Sequence, residues 1–287
     1  MRVSSHRMRA IDLWHTGAPH VICAWEVDGV LVDPGPQSCE DTLLEALDGE
    51  RPRALLLTHI HFDHAGAAGA LVRRWPDLPV YVHERGARHI ADPAKLVASA
   101  ARLYGGEEAM RELWGEVVPV PEANLRVLSG GETGVEGGFR VEYTPGHASH
   151  HVSYLHEDSG WAFVGDVAGV RVEPCEFTLA PTPPPDIDVA AWEQSLEIVR
   201  NWDPAGLALT HWGPVHEVGE QLDAVRERLY EQVRLAGEHD QEGFVEAWSE
   251  RVRAEAGDAA EAYLQAAPAD HLFLGLDRWR SKQAEVS

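Results

Sequence analysis

The chain has 287 residues, of which 44% are hydrophobic and 25% charged, a mixture typical of a globular protein. No apolar run approaches the ~20 residues that a membrane-spanning helix needs, so we expect no membrane partner. The formal net charge of −23 repels polyanions, which argues against a nucleic-acid partner.

The N-terminus and the cysteines bear on the cellular compartment. Met1 is not followed by an apolar stretch with a small-residue cleavage site, so we expect no secretory signal and a cytoplasmic protein. Cys23, Cys39 and Cys175 are odd in number and lack metal-type spacing. This argues against both a disulfide framework and a cysteine-based zinc knuckle.

Hydrophobic periodicity predicts alternating strands and helices. In chain order it indicates strands at 21–25 and 29–33, a helix at 40–47, a strand at 54–58, a helix at 65–75, a strand at 79–83, a helical stretch at about 84–115, strands at 139–144, 152–155 and 161–164, a helix at about 189–200 and a strand at 207–210. The first two strands flank Asp28-Gly29, which is a hairpin signal.

The pattern changes after the last predicted strand. From Val218 onward it is helical almost throughout, with breaks near Gly237, Gly257 and Pro268. We therefore divide the chain into a mixed α/β domain over residues 1–217, with the helical insertion at about 84–115, and a helical C-terminal region over residues 218–287.

Three imidazoles and a carboxylate fall within six residues, directly after the predicted strand at 54–58. They are His59, His61, Asp63 and His64, and the helical pattern from Ala65 onward places them in a strand-to-helix loop. Each would cost free energy if it were buried without a partner, and a metal ion supplies that partner. The pattern therefore predicts a metal site.

Three further candidate ligands also follow apolar runs: His147, Asp166 and His211. One edge of a sheet sandwich would bring all of these side chains together. Five imidazoles and two carboxylates are more ligands than one tetrahedral zinc ion takes, so the count favours two metal ions that share a carboxylate.

The order His59-x-His61-x-Asp63-His64, followed by His147, Asp166 and His211, resembles the metallo-β-lactamase superfamily over about residues 11–216. The resemblance implies an αβ/βα sandwich that forms a catalytic domain, followed by the helical C-terminal appendage. It implies His59, His61 and His147 on the first metal, Asp63, His64 and His211 on the second, and Asp166 as the bridge. It also implies that Asp33 supports the site without being a ligand.

Within that superfamily the chain is most similar to the glyoxalase II-like branch of thioesterases, lactonases and related hydrolases. True β-lactamases of this fold generally lack a bridging carboxylate such as that of Asp166. The redox-active diiron branch usually has Glu in place of His61 and no equivalent of His64. The motif alone leaves a mononuclear iron sulfur dioxygenase open as an alternative.

The ligand set predicts the cofactor and the chemistry. Imidazole and carboxylate without thiolate favour two zinc ions, with manganese or iron as substitutes. Two such metals acidify a bridging water, which then attacks as hydroxide, and Asp63 is the catalytic side chain that orients it and handles its proton. We predict hydrolysis of a small-molecule ester, thioester or lactone, with a metal-dependent phosphodiesterase or nuclease as the alternative.

The helical stretch between the motif and His147 supplies candidate substrate contacts. Tyr104 and Trp114 would form the wall of a substrate pocket, although packing of apolar helix faces on the sandwich explains them equally well. His150 and His151 follow His147 and would either orient ligands or serve the start of the next strand.

A basic cluster near the C-terminus contains Arg278, Arg280 and Lys282. A solvated helix end explains it better than an anion site does. The sequence fixes neither the oligomeric state nor the identity of the substrate.

Overall fold

The computed structural model describes residues 7–286 and contains two β-sheets. The first sheet has six strands in sequential order: β1 (Met8–Asp12), β2 (Cys23–Val27), β3 (Val30–Val32), β4 (Ala54–Leu56), β5 (Val80–His83) and β6 (Leu125–Leu128). The first three are antiparallel, and β3 to β6 are parallel. The turn predicted at Asp28-Gly29 joins β2 to β3, and both of its residues have positive φ.

The second sheet has five strands, and three of them point the same way. The strands are β7 (Phe139–Tyr143), β8 (Val152–His156), β9 (Trp161–Gly165), β10 (Gly206–Leu209) and β11 (Gly213–Val215), in the order β11-β10-β9-β8-β7. β8 is antiparallel to both β7 and β9, and β9 is parallel to β10. The carboxyl ends of β7, β9 and β10 therefore meet at one edge of this sheet.

Helices cover the outer faces of both sheets. They are α1 (Glu40–Ala46), α2 (Phe62–Ala65), α3 (Ala68–Arg74), α4 (Glu84–Ala91), α5 (Ala94–Leu103), α6 (Glu107–Trp114), α7 (Val189–Asn201), α8 (Val218–Glu238), α9 (Gln241–Ala256), α10 (Ala260–Ala266) and α11 (Ala269–Val286). The helical stretch predicted at about 84–115 corresponds to α4, α5 and α6. Within residues 7–286, no helix is both long and apolar enough to cross a membrane.

Three apolar layers hold these elements together. The layer between the sheets contains the rings of Trp25, Phe139, Tyr154 and Phe163. A second layer lies between the first sheet and its helices, and a third between the second sheet and its helices. Burial on both faces explains why β4 is a continuous apolar run. The predicted αβ/βα sandwich with C-terminal helices is therefore confirmed.

The C-terminal helices pack against the second sheet. Phe244, Trp248 and Leu272 lie in the same apolar cluster as Leu207 of β10. α11 also approaches the loop over residues 181–185 so closely that a Cβ at Gly275 would lie 1.9 Å from the carbonyl oxygen of Thr182. Helix and loop thus touch backbone to backbone. The division of the chain after residue 217 stays a prediction.

The sequence patterns do not predict β1, β6 or β11. β6 shows the reason, because it is an edge strand in which the side chain of Val127 is 58% exposed. A short strand with few buried positions gives no apolar run for a periodicity argument to detect.

Candidate metal centre

The seven predicted ligand residues lie at one edge of the sandwich, after the carboxyl ends of strands. The segment from His59 to His64 follows β4, and the other three follow β7, β9 and β10. One detail differs from the prediction: α2 begins at Phe62, so Asp63 and His64 lie in a helical turn rather than in the loop. The backbone N–H of Ala65 donates to the carbonyl of His61 and closes this turn.

Backbone hydrogen bonds fix the edge where the two sheets meet. The N–H of Val152 donates to the carbonyl of Thr58, and that of Cys23 donates to the carbonyl of Thr210, each at 2.8 Å. Gly165, just before Asp166, has a φ of +47°, and a Cβ there would lie 2.5 Å from the hydroxyl oxygen of Thr58. Only glycine fits this position without a shift of its neighbours.

The first group of side chains is a cluster of three imidazoles. Nδ1 of His61 lies 3.0 Å from Nε2 of His59 and 3.0 Å from Nε2 of His147. Nitrogens that bind one tetrahedral zinc ion at 2.0–2.1 Å lie about 3.3 Å apart. The spacing of the three nitrogens is therefore close to that of a metal triad.

The second group contains Asp63, His64 and His211, whose ligand-type atoms lie within 4.8 Å of one another. Nε2 of His211 lies 3.3 Å from Oδ2 of Asp63. Asp166 stands between the two groups, with Oδ1 3.1 Å from Nε2 of His64 and Oδ2 3.3 Å from Nε2 of His147. The two oxygens of this carboxylate thus face different groups.

Backbone carbonyls fix the tautomers of two rings. Nδ1 of His147 lies 2.8 Å from the carbonyl oxygen of Pro181, and Nδ1 of His211 lies 2.7 Å from that of Val21. A carbonyl oxygen can only accept, so each Nδ1 carries the proton and donates it. In the neutral rings the lone pairs of Nε2 then point into the site.

Asp33 and Thr58 fix two more rings in the same way. Nδ1 of His64 donates to Oδ2 of Asp33 at 2.8 Å. The hydroxyl of Thr58 donates to the same carboxylate at 2.7 Å, so it is left to accept from Nδ1 of His59 at 3.1 Å. Asp33 therefore lies behind the site, as the resemblance implied.

Metal ions fit this arrangement of atoms. In their neutral forms the four rings turn lone pairs inward, and the two carboxylates add only acceptors. Nε2 of His64, Nε2 of His211 and Oδ1 of Asp166 are buried without a hydrogen bond of acceptable geometry among the described residues. Buried acceptors that face one another need a cation, and imidazole and carboxylate suit divalent transition metals.

Without a metal, the imidazoles of the first and second groups of ligand residues would differ in their pKa values. Burial is the main reason why the pKa of His61 falls to about 4 and why that of His59 falls well below its usual value. Burial opposes charge on His64 too, but the carboxylates of Asp166, Asp63 and Asp33 outweigh it and raise the pKa of that ring. The second group thus attracts positive charge most strongly.

His150 and His151 have different surroundings. Nε2 of His151 accepts the backbone N–H of Asp166 at 3.3 Å, and its Nδ1 lies 3.0 Å from the hydroxyl oxygen of Thr144, so this ring positions Asp166. His150 instead lines a cavity, 5.6 Å from the His61 ring between centroids. Its Nδ1 is buried without a hydrogen bond to a described residue.

That cavity has a volume of about 1070 Å³ and opens beside Asp63 and Asp166. Tyr104 and Trp114 line it, with their rings 5.6 Å apart, and both also pack in the apolar cluster beneath the first sheet. The C-terminal helices complete the wall through residues such as His271, whose ring lies 5.2 Å from that of Tyr104.

The basic cluster near the C-terminus is bonded to backbone. Arg278 and Lys282 both donate to the carbonyl of Pro185, and Arg280 donates to that of Ala236. These side chains therefore tie α11 to its neighbours, a role that the sequence analysis did not predict.

A family model and several known proteins resemble the chain. The model of the metallo-beta-lactamase superfamily matches residues 27–211. The probable metallo-hydrolase YqgX of Bacillus subtilis is 33% identical over 140 residues, which are 48% of this chain and 60% of that protein. A hydroxyacylglutathione hydrolase of Legionella pneumophila is 29% identical over 116 residues, 40% of this chain and 33% of that enzyme.

The chain therefore spans between a third and three fifths of the length of these two relatives. Among solved structures, the archaeal protein ST1585 from Sulfolobus tokodaii superposes with a TM-score of 0.70 at 23% identity, over 94% of this chain and 98% of that one. This likeness shows a shared fold. The match of the family model, together with the fold and the His and Asp cluster at the sandwich edge, identifies the chain as a member of the metallo-beta-lactamase superfamily.

Proposed function

We propose that the chain is a dinuclear zinc hydrolase that cleaves an ester, thioester or lactone bond in a small acyl compound. The observation that carries the proposal is the position of Asp166, whose two carboxylate oxygens face two different groups of ligand-type atoms. In this proposal His59, His61 and His147 hold one ion, Asp63, His64 and His211 hold the other, and Asp166 bridges them. Manganese or iron would substitute, since nitrogen and oxygen ligands discriminate weakly among these ions.

Bound metals would polarise the scissile carbonyl and lower the pKa of a water molecule to about 7. Asp63 is the residue we assign to hold that water and take its proton, because 18% of its side chain is exposed, against 4% for Asp166. Burial alone would raise the pKa of Asp63, but the rings of His64 and His211 keep that pKa below its usual range. His151 keeps Asp166 in place through its backbone N–H.

The cavity supports a small-molecule substrate. Its volume of about 1070 Å³ is slightly above the roughly 300–1,000 Å³ typical of ligand pockets. The wall at Tyr104 and Trp114 offers apolar surface to an acyl group. The likeness to a hydroxyacylglutathione hydrolase supports an acyl substrate, and the net charge of −23 disfavours nucleic acid.

Metal analysis combined with a substrate panel tests the proposal. We expect close to two transition-metal ions per chain, and faster hydrolysis of p-nitrophenyl esters, thioesters or lactones than of bis-p-nitrophenyl phosphate. Asp166→Ala should remove most of the activity, since its loss uncouples the two groups, and His150→Ala should be milder. Full activity with one metal ion contradicts the dinuclear site. Phosphodiester cleavage that is orders of magnitude faster replaces the acyl assignment with the phosphodiesterase one.

The substrate wall has its own test. Tyr104→Ala and Trp114→Ala should raise KM for acyl substrates more than they lower kcat, because they remove binding surface and leave the metal ligands intact. Metal content should stay as in the wild type. Tyr230→Ala, at a residue of α8 that is 47% exposed, is the control. A KM unaffected by either wall substitution would remove these two residues from the substrate site.

A further inference from the structure

The cavity beside the metal centre has two chemically unlike ends. At one end are Arg85 and Arg88 of α4 and Lys95 of α5, which together we call the cationic rim. At the other end are the rings of Tyr104 and Trp114. A substrate that spans the cavity would therefore contact charge at one end and apolar surface at the other.

The cations of the rim form no ion pair with a described residue. The whole chain has 47 acidic residues against 24 Lys and Arg, and its arginines readily find carboxylates elsewhere. Arg226, for example, contacts Glu193, Glu197 and Asp223. In contrast, no described carboxylate oxygen lies within 4.0 Å of a rim nitrogen. The three side chains are exposed and line the same cavity, so an anionic ligand that enters it can reach them.

Other contacts hold the rim in place without neutralising it. The guanidinium of Arg85 lies 5.7 Å above the ring of Tyr143, and Nε of Arg88 donates to Nε2 of His89 at 3.2 Å. Glu84 and Asp186 also line the cavity, and the carboxylate of Asp186 accepts the hydroxyl of Ser149. Neither carboxylate forms an ion pair with a cation of the rim. A ligand that binds the rim therefore does not have to break an ion pair between described residues.

His150 adds a polar side chain to the cavity wall near this end. Its ring lines the cavity, 5.6 Å from the ring of His61, and its buried Nδ1 has no hydrogen bond among the described residues. A buried polar atom without a partner is costly, and either a water molecule or a bound ligand would satisfy it. His150 thus marks the polar end of the cavity beside the first group of metal ligands.

α5 connects the two ends. Leu96, Ala100 and Leu103 line the cavity at helical spacings of four and three residues, so they form one apolar stripe. From Lys95 to Leu103 the helix rises about 12 Å. A charged group and an apolar group at that separation can bind at the same time.

We propose that Arg85, Arg88 and Lys95 form an anion subsite, so that the substrate is an amphipathic acyl compound whose carboxylate or phosphate binds there while its apolar part lies against Tyr104 and Trp114. This inference rests on the proposed hydrolase function and adds the chemical class of its substrate. The rim is distinct from the metal ligands, and its contribution is binding and orientation.

Matched thioesters test the subsite through hydrolysis. Octanoyl thioesters of N-acetylcysteamine, 3-mercaptopropionate and coenzyme A share the acyl group and carry no charge, a carboxylate or phosphates, respectively. We expect kcat/KM to be at least about tenfold higher for one anionic thioester than for the neutral one. Removing single charges by Arg85→Gln, Arg88→Gln or Lys95→Gln should reduce that ratio about 3- to 10-fold each. Arg88→Lys should restore part of it.

Arg102→Gln is the matched control, because Arg102 is an exposed residue of α5 that donates to the carbonyl of Ala98 and does not line the cavity. It should leave the ratio of anionic to neutral kcat/KM as it is. An equal loss of the ratio in this variant would overturn the subsite, since general field effects would then explain the preference. The two anionic thioesters also distinguish carboxylate from phosphate. The subsite prefers the anion of the thioester whose kcat/KM depends more strongly on the rim residues.

Binding of the S-octyl thioethers of 3-mercaptopropionate and coenzyme A, measured by calorimetry on the metal-loaded protein, separates the subsite from the reaction. Rim-dependent binding without hydrolysis of any thioester, ester or lactone would support the subsite and contradict the hydrolase proposal. Hydrolysis without any preference for the anionic thioesters would retain the hydrolase proposal and overturn the subsite.

Discussion

Asp33 accepts four hydrogen bonds in the buried layer behind the metal centre. The donors are the backbone N–H of Thr58, the hydroxyls of Thr58 and Thr210, and Nδ1 of His64. These contacts fix the tautomer of His64, whose other nitrogen faces Asp166. The residue has a φ of 48°, a left-handed conformation that Asp and Asn tolerate better than other side chains.

Asp33→Asn is therefore expected to weaken metal binding rather than to strain the backbone. The amide has one acceptor oxygen instead of two, so its NH2 would oppose either Nδ1 of His64 or the backbone N–H of Thr58, and the negative charge beside the His64 ring would be lost. We expect an affinity about 10- to 100-fold lower for the metal that binds His64, as for other changes behind metal ligands. Chelator competition measures it. Asp41→Asn, on an exposed turn of α1, should have no effect, and an equal affinity for both variants would contradict the role of Asp33.

The sequence could predict which side chains meet at the sandwich edge, because imidazoles and carboxylates after apolar runs are visible in it. It could not predict the acceptors behind them. The carbonyls of Pro181 and Val21 fix two tautomers, but every residue has a carbonyl and no side-chain pattern marks these two. Nor does the sequence show the orientation of Asp166.

At the scale of elements, α8 holds the loop that carries one of these carbonyls. The side chain of Gln232 accepts the backbone N–H of Ala180 at 3.0 Å and donates to its carbonyl at 2.8 Å. Both atoms of Ala180 are buried, one residue before Pro181. α8 thus positions the acceptor of His147.

Gln232→Met would preserve the shape of the side chain and remove both hydrogen bonds. Each buried backbone group left without a partner costs about 1–3 kcal/mol, so the free energy of unfolding should fall by about 2–6 kcal/mol. Urea denaturation measures it. Gln241→Met, at the exposed start of α9, is the control. A loss below about 1 kcal/mol in Gln232→Met would show that water replaces the missing contacts.

The sequence predicts the helices of this protein better than it predicts which of them form the cavity wall. The spacing at 84–115 predicts helices, and three form. The contribution of α10 and α11 to the cavity wall leaves no such signal, because it depends on how helices after residue 218 fold back over the site. Packing between distant segments sets that arrangement, and a residue such as His271 has an ordinary helical context in the sequence.

At the scale of the whole molecule, we expect bound metal ions to contribute a large part of the free energy of unfolding. The sandwich edge places two carboxylates, Asp63 and Asp166, among inward-facing nitrogens, in a chain whose net charge is −23. A ligand that binds only the folded state adds about 4 kcal/mol when its free concentration is a thousand times its Kd.

Removing the metal by dialysis against a chelator should therefore lower Tm by about 8–16 °C, given a change of roughly 2–4 °C per kcal/mol in larger domains. Calorimetry with parallel metal analysis measures this shift. Readdition of zinc should restore the original Tm. If protein shown to be free of metal melts at the same temperature as the loaded protein, the cluster does not bind metal tightly enough to matter for folding.

The close backbone contact at Gly275 couples the C-terminal helix α11 to the stability of the metal centre. α11 rests on the backbone of Thr182, next to the carbonyl of Pro181 that holds the ring of His147. Detachment of this helix on heating would remove the support of the loop and free the ring of His147 from the carbonyl of Pro181. Slow heat inactivation should then proceed with the same rate constant as metal release, and both should begin in the C-terminal helices while the sheets remain paired.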